Sequence, residues 1–127
     1  MRTRFLSGYA LCGSLASRDQ TYYKQCLHLI QTRHLKITPQ EIFREGVLSM
    51  VDVWWAKEDR IVLMIDINNH SIDGKLSKEL AYCGIWPTVY SYNGAVGPNM
   101  HFWGNNPIDE VWVPDNFVVL GAAYLPF

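Results

Sequence analysis

The sequence has few cysteines, and their spacing forms no recognised pattern. Cys12, Cys26 and Cys83 are scattered along 127 residues, and no two of them have CxxC spacing. This arrangement excludes a disulfide framework and a zinc knuckle as organising features of the fold. Because reduced thiols are typical of proteins inside the cell, we expect an intracellular protein.

Charged residues are also scarce and nearly balanced. They make up 18% of the chain, and the formal net charge is −1. Proteins that bind nucleic acid through charge usually carry a basic face, so composition gives no evidence for such a partner. A bound metal can still supply local positive charge. The 49% of hydrophobic residues indicates a packed core, and the length predicts one domain over residues 1–127.

No apolar run approaches the length of a transmembrane helix, so we expect no membrane association. Arg2 and Arg4 do precede an apolar stretch at residues 5–16, as in a short signal peptide. Serine and glycine interrupt this stretch repeatedly. We therefore expect a strand at residues 5–11 in place of a signal peptide.

Apolar periodicity and turn residues predict the order β-α-α-β-α-β-β, which is an α/β (α+β) fold with helices covering one sheet. Thr38, Pro39 and Glu41 form a capping-box pattern that indicates a helix start. The inward face of that helix is expected to consist of Phe43, Val47, Met50, Val51 and Trp54. The predicted helices span about residues 17–33, 39–57 and 76–83, the strands 5–11, 60–67, 108–113 and 117–124, and a loop 92–99.

The strand at residues 60–67 is the most informative segment. Residues 61–65 are all apolar, which predicts a central strand with both faces buried. Asp66, Asn68 and Asn69 follow at its carboxyl end, where open α/β sheets place their ligands. A carboxylate and an amide at this spacing can hold a water and a phosphate oxygen together. The same D-x-N pattern also fits an Asx-turn that ends a strand, and both interpretations remain open.

Two further residues are candidates for chemistry. Asp109 begins the strand at residues 108–113 and shares a face with Val111 and Val113, as either a functional group or a turn residue. His101 is followed by Phe102 and Trp103, and neighbouring aromatic residues are also typical of a packed or surface histidine.

The order of these motifs resembles the exonuclease–endonuclease–phosphatase superfamily, which has the DNase I-like fold. Asp66-x-Asn68, then His101-Phe102-x-Gly104, then Ile108-Asp109-x-Val111 follow the family order G-D-x-N, T-H-x-x-G and I-D-x-I/V. The resemblance extends over nearly the whole chain. It implies magnesium-dependent hydrolysis of phosphodiester or phosphomonoester bonds, with nucleic acid as a candidate substrate.

The resemblance also implies roles for individual residues. Asp66 is expected to orient the attacking water and Asn68 to hold a phosphate oxygen. Asp109 is expected to support a histidine that neutralises the transition state, and His101 and Tyr9 are expected to line the phosphate site. Tyr9 and Asn69 are the expected substrate-binding residues.

The chain departs from the family pattern in ways that matter for activity. The family's N-terminal metal-binding Glu and its C-terminal Asp-His motif have no counterpart, and Ile65 and Met100 replace the usual Gly and Thr. We therefore expect half of a four-layer sandwich, with an incomplete metal-ligand set and weak or no activity. The alternative is an inactive relative that acts as a binding module or associates with itself through an uncovered sheet face.

Overall fold

The computed structural model of the protein describes residues 1–9, 22–66, 74–94 and 109–123. In chain order its elements are β1 (Thr3–Tyr9), α1 (Tyr22–Thr32), α2 (Pro39–Trp55), β2 (Arg60–Asp66), α3 (Lys75–Tyr82), β3 (Ile85–Pro87), α4 (Thr88–Asn93) and β4 (Asp109–Pro114). The strands form one mixed sheet in the order β1-β2-β4-β3. β1 runs parallel to β2, and β4 runs antiparallel to both β2 and β3. The predicted α+β class with one sheet is confirmed, and the sheet is mixed.

Strand β2 is central, as predicted, but only one of its faces is buried. Ile61, Leu63 and Ile65 are almost fully buried, whereas Val62 is half-buried and Met64 is 39% exposed. Successive side chains of a strand point to opposite faces, and the apolar core lies on one side of this sheet. The expectation that all five side chains of residues 61–65 are buried is therefore wrong for Met64. We call the side of the sheet that carries Val62 and Met64 the open face.

Helix α2 supplies much of the cover on the buried face. Its capping box is present: Thr38 Oγ1 accepts a hydrogen bond from Glu41 N at 3.2 Å, and Glu41 Oε2 accepts one from Thr38 N at 2.8 Å. Val47 and Val51 are buried against the sheet, with Phe43 and Trp54 packed beside them. Met50, which was expected to face inward, is instead 38% exposed.

An ion pair joins β1 to the turn before β2. Arg4 Nε donates to Asp59 Oδ2 at 2.8 Å, and Arg2 N donates to Asp59 Oδ1 at 3.0 Å. The Arg4 hydrogen bond, with a smaller effect of the Arg2 N–H, lowers the pKa of Asp59 below its ordinary value of 3.8. This carboxylate therefore sets where β1 begins beside β2.

Two elements were not predicted. Ile85–Pro87 is an edge strand, and Thr88–Asn93 is a short helix that includes the first two residues of the loop expected at 92–99. Residues 95–99 of that expected loop lie outside the described residues. A strand of three residues has too little local pattern to be recognised and depends on its partner β4. The expected helix at 76–83 is confirmed as α3, which ends where Gly84 adopts φ +74°.

The predicted strand at residues 117–124 is wrong over the part that the structure describes. A turn follows β4, in which Phe117 N donates to Pro114 O at 3.0 Å, and residues 118–123 then have no regular secondary structure. Both edges of β4 are already occupied, by β2 and β3, so this segment has no free edge of β4 to pair with. We call residues 117–123 the strap.

The strap is attached at two points. The guanidinium carbon of Arg60 lies 4.3 Å from the centre of the Phe117 ring, a cation–π contact. Near the other end, Asn93 Nδ2 donates to Ala122 O at 2.8 Å. Between these contacts Val119 borders the open face, where it lines a cavity together with Met64 and Val111.

Among the helices that the structure describes, none combines the length and the apolar character needed to cross a lipid bilayer.

Candidate functional site

Three of the predicted site residues lie in one row across the sheet. At the carboxyl end of β2, Asp66 is the register partner of Tyr9 on β1 and of Asp109 on β4. Tyr9 is 56% exposed and Asp66 is half-buried. The row therefore lies at one edge of the sheet, where three neighbouring strands end or begin. On β2 it comes directly after the buried core residues.

The other predicted site residues cannot be added to this row. Asn68, Asn69 and His101 lie outside the described residues. Their assigned roles in phosphate binding remain predictions from the motifs.

A cavity of about 730 Å³ lies beside the row. Strands β1, β2 and β4, the start of α4 and the strap all contribute to its wall. Among the described residues of the lining, Asp66 and Glu110 are the charged ones; the others are Ser7, Gly8, Met64, Ile65, Thr88, Val89, Val111, Val119, Gly121, Ala122 and Ala123. The described part of the lining is thus mainly apolar and includes two acids.

Glu110 is a buried acid that the sequence analysis did not place in the site. Its Oε1 accepts hydrogen bonds from Val111 N at 2.8 Å, Thr88 Oγ1 at 3.2 Å and Val89 N at 3.4 Å. Burial raises the pKa of Glu110 above its ordinary value of 4.5, although the hydrogen bonds, led by that of Val111 N, oppose this. Its carboxylate thereby ties the first turn of α4 to β4. The sequence did contain a signal for its burial. Glu110 lies two positions before Trp112 in the same strand, so both share one face of the sheet, and Trp112 is fully buried there.

The residues of the row fit a magnesium ion that is held by few protein ligands. In the described part of the chain, no three or more His, Cys, Asp or Glu residues are grouped so that they could hold a metal ion. Magnesium, however, is commonly held through one or two carboxylates together with substrate phosphates and water. The neighbouring positions of Asp66 and Asp109 provide two acids for that mode.

Comparison with known proteins gives no match: no family model, no curated protein and no solved structure is significantly similar to this chain. The resemblance to the DNase I-like superfamily consequently rests on the motifs and on their order in the sequence. The geometry of the row is an observation independent of that resemblance.

Proposed function

We propose that the row of Tyr9, Asp66 and Asp109 belongs to a site for magnesium-dependent hydrolysis of phosphodiester bonds, with nucleic acid as the substrate class. The single observation that carries this proposal is the register of the sheet. Asp66 and Asp109 are 43 positions apart in the sequence, and the motifs assign them to one site. They are direct partners in the β2–β4 ladder. As part of this proposal, the mixed sheet and its helices correspond to half of a DNase I-like four-layer sandwich.

The row has suitable chemistry for orienting a water molecule. Side chains directly opposite each other in an antiparallel pair have Cβ atoms about 4.5–5.5 Å apart, so two carboxylates at such positions can address one small group. The Asp66 carboxylate accepts a hydrogen bond from the attacking water, and the exposed Tyr9 hydroxyl donates one to a phosphate oxygen. A bound magnesium ion supplies Lewis-acid polarisation of the phosphoryl group. Asn68, Asn69 and His101 complete the phosphate contacts in this proposal.

Activity of the 127-residue chain is expected to be weak. The described residues contain no larger group of metal ligands, and a preorganised charge-stabilising group typically contributes about 10²–10³ in rate. Hydrolysis of bis(p-nitrophenyl) phosphate should therefore be slow and should depend on magnesium. Asp66→Ala and Asp109→Ala should each lower it to the rate of buffer alone. Asp52→Ala, which removes an exposed acid from α2, is the matched control and should leave the rate unchanged.

Two results would contradict this proposal. Equal rates for the unaltered chain and Asp66→Ala would show that the row does not perform the reaction. Fast turnover that depends on Asp66 would support a hydrolase but would contradict the expected weakness of the site.

A second candidate function is self-association through the open face. Phe5 is 65% exposed, and Met64, Trp86 and Val111 on the same face are each at least 37% exposed. Exposed apolar side chains gathered on one face of a sheet can mark a protein–protein contact. Phe5→Glu should shift an oligomer to monomer in light scattering after size-exclusion chromatography. Tyr82→Glu, at a fully exposed aromatic residue of α3, should not. A chain that is already monomeric at high concentration would contradict this candidate.

A further inference from the structure

The strap separates two cavities beside the open face. The cavity of about 730 Å³ next to Asp66 has Val119 in its wall. A second cavity, of about 340 Å³ and bordered by Trp86 and Phe117, also has Val119 in its wall. Because open space adjoins Val119 on two sides, the strap has room to move without any change in the core on the other face of the sheet.

The outer side of the strap faces solvent. Val118 is 83% exposed and Leu120 is 86% exposed, whereas Val119 between them is half-buried. Segments with so much of their surface in water open at a lower free energy than core strands and helices do. The position of the strap therefore depends on the side-chain contacts that attach its two ends.

A continuous chain of hydrogen bonds joins one end of the strap to Glu110 through α4. Val89 N donates to Glu110 Oε1 at 3.4 Å, and Val89 O accepts a hydrogen bond from Asn93 Nδ2 at 3.0 Å. The same Nδ2 group donates to Ala122 O at 2.8 Å. Thr88 Oγ1 supports the chain by donating to Glu110 Oε1 at 3.2 Å. Asn93 therefore connects the strap to the turn of α4 that Glu110 fixes on β4.

We propose that α4 is a latch and the strap a lid, which together control access to the cavity beside Asp66. While Asn93 holds Ala122, the lid lies across the open face in front of Met64. When Asn93 releases Ala122, the strap moves away from the sheet and the two cavities join at Val119. The proposal concerns access to the cavity and not a reaction, so it does not depend on the proposed hydrolysis.

Two methionines of nearly equal exposure provide an internal comparison for the test. Met64, in the cavity wall, is 39% exposed, and Met50, on the helix that covers the other face of the sheet, is 38% exposed. Chloramine-T oxidises an accessible methionine to its sulfoxide, and it is bulky enough for the lid to hinder its approach to Met64. Mass spectrometry of peptides from the folded 127-residue chain measures both oxidation rates.

Asn93→Ala should open the lid, because it removes the hydrogen bonds to both Val89 O and Ala122 O. A typical net hydrogen bond changes an equilibrium constant by about two- to tenfold. The ratio of the Met64 oxidation rate to the Met50 rate should therefore rise at least about twofold. Gln31→Ala removes an exposed amide from α1 and is the matched control, which should leave the ratio unchanged.

Two further variants test the latch and the other end of the strap. Thr88→Val keeps the shape of the side chain and removes its hydrogen bond to Glu110, so it should also raise the ratio. Because Thr88 and Asn93 act on the same latch, the double variant should show less than the product of the two single effects. Phe117→Leu removes the cation–π contact with Arg60 and should raise the ratio by itself.

Three outcomes would overturn the proposal. They are an unchanged ratio in Asn93→Ala, an increase at Met50 as large as that at Met64, and effects of Thr88→Val and Asn93→Ala that simply multiply. If Asn93→Ala fails to fold, Thr88→Val and Phe117→Leu still decide the question, since each of them must raise the ratio.

Discussion

Asp66 of β2 lies directly opposite Asp109 of β4 in the antiparallel ladder. Two acids in such positions repel each other, because like charges directly opposite on a sheet are destabilising. Proteins commonly accept a local cost of this kind at functional sites. The pairing therefore makes a prediction about stability as well as about chemistry.

Asp66→Asn should raise the free energy of unfolding by about 0.2–1 kcal/mol at pH 7, because it removes one of the two opposed charges. Urea denaturation measures the change. Asp52→Asn, at an exposed position of α2, should stay within about 0.5 kcal/mol of the unaltered chain. A loss of stability in Asp66→Asn would show that other interactions of Asp66 outweigh the repulsion.

Leu63 and Met64 are neighbours in β2 that lie on opposite faces of the sheet. Leu63 is fully buried, so Leu63→Ala should cost about 2–5 kcal/mol through lost burial and the cavity that remains. Met64 is partly exposed on the open face, and Met64→Ala should cost less than about 1 kcal/mol. Denaturation of the two variants under the same conditions compares them. Similar costs would show that the open face is covered in solution.

Asp59 should make the protein less stable at low pH. The hydrogen bond from Arg4, assisted by Arg2 N–H, lowers the pKa of Asp59 below 3.8, so its ionised form favours the folded state. That stability is present above pH 3.8 and is lost as the pH falls through the lowered value. The unaltered chain should exceed Asp59→Asn in stability at pH 7, and the difference should shrink below about pH 4. Urea titrations at several pH values measure it. A difference that is independent of pH would contradict the role of the charge.

Glu110 should make the protein less stable as the pH rises, which is the opposite of the effect of Asp59. Because burial raises its pKa above 4.5, the folded chain retains a proton that the unfolded chain releases. Stability is therefore lost as the pH rises from 4.5 through the raised folded value. Glu110→Gln keeps an oxygen that can accept the same hydrogen bonds and cannot ionise. It should gain stability relative to the unaltered chain as the pH rises.

The matched control for this prediction is Glu45→Gln, an exposed acid of α2. It measures the effect of removing one surface charge over the same pH range. A Glu110→Gln variant whose relative stability falls with rising pH would contradict the prediction.

The sequence correctly predicted the elements that depend on residues close together in the chain. The Thr38–Glu41 capping box needs only four consecutive residues, and α2 begins where that pattern indicates. The apolar run of β2 also identified the central strand correctly. The same run led to a wrong expectation for Met64, because residue type does not reveal whether one face of a sheet or both are covered.

Other features of the fold depend on contacts between segments that are far apart in the sequence. Residues 117–123 have the composition of a strand, yet β2 and β3 occupy both edges of β4, and the segment became a strap. Glu110 became a buried acid because the start of α4 folds against it.

The sequence by itself determined where the strand-ending acids lie along the chain, since Asp66 and Asp109 each adjoin a short run with its own clear periodicity. Only the tertiary structure decided that these two acids are partners. A hydrogen-bonded ladder brings together backbone groups far apart in the chain, and its register depends on the whole sheet and its packing.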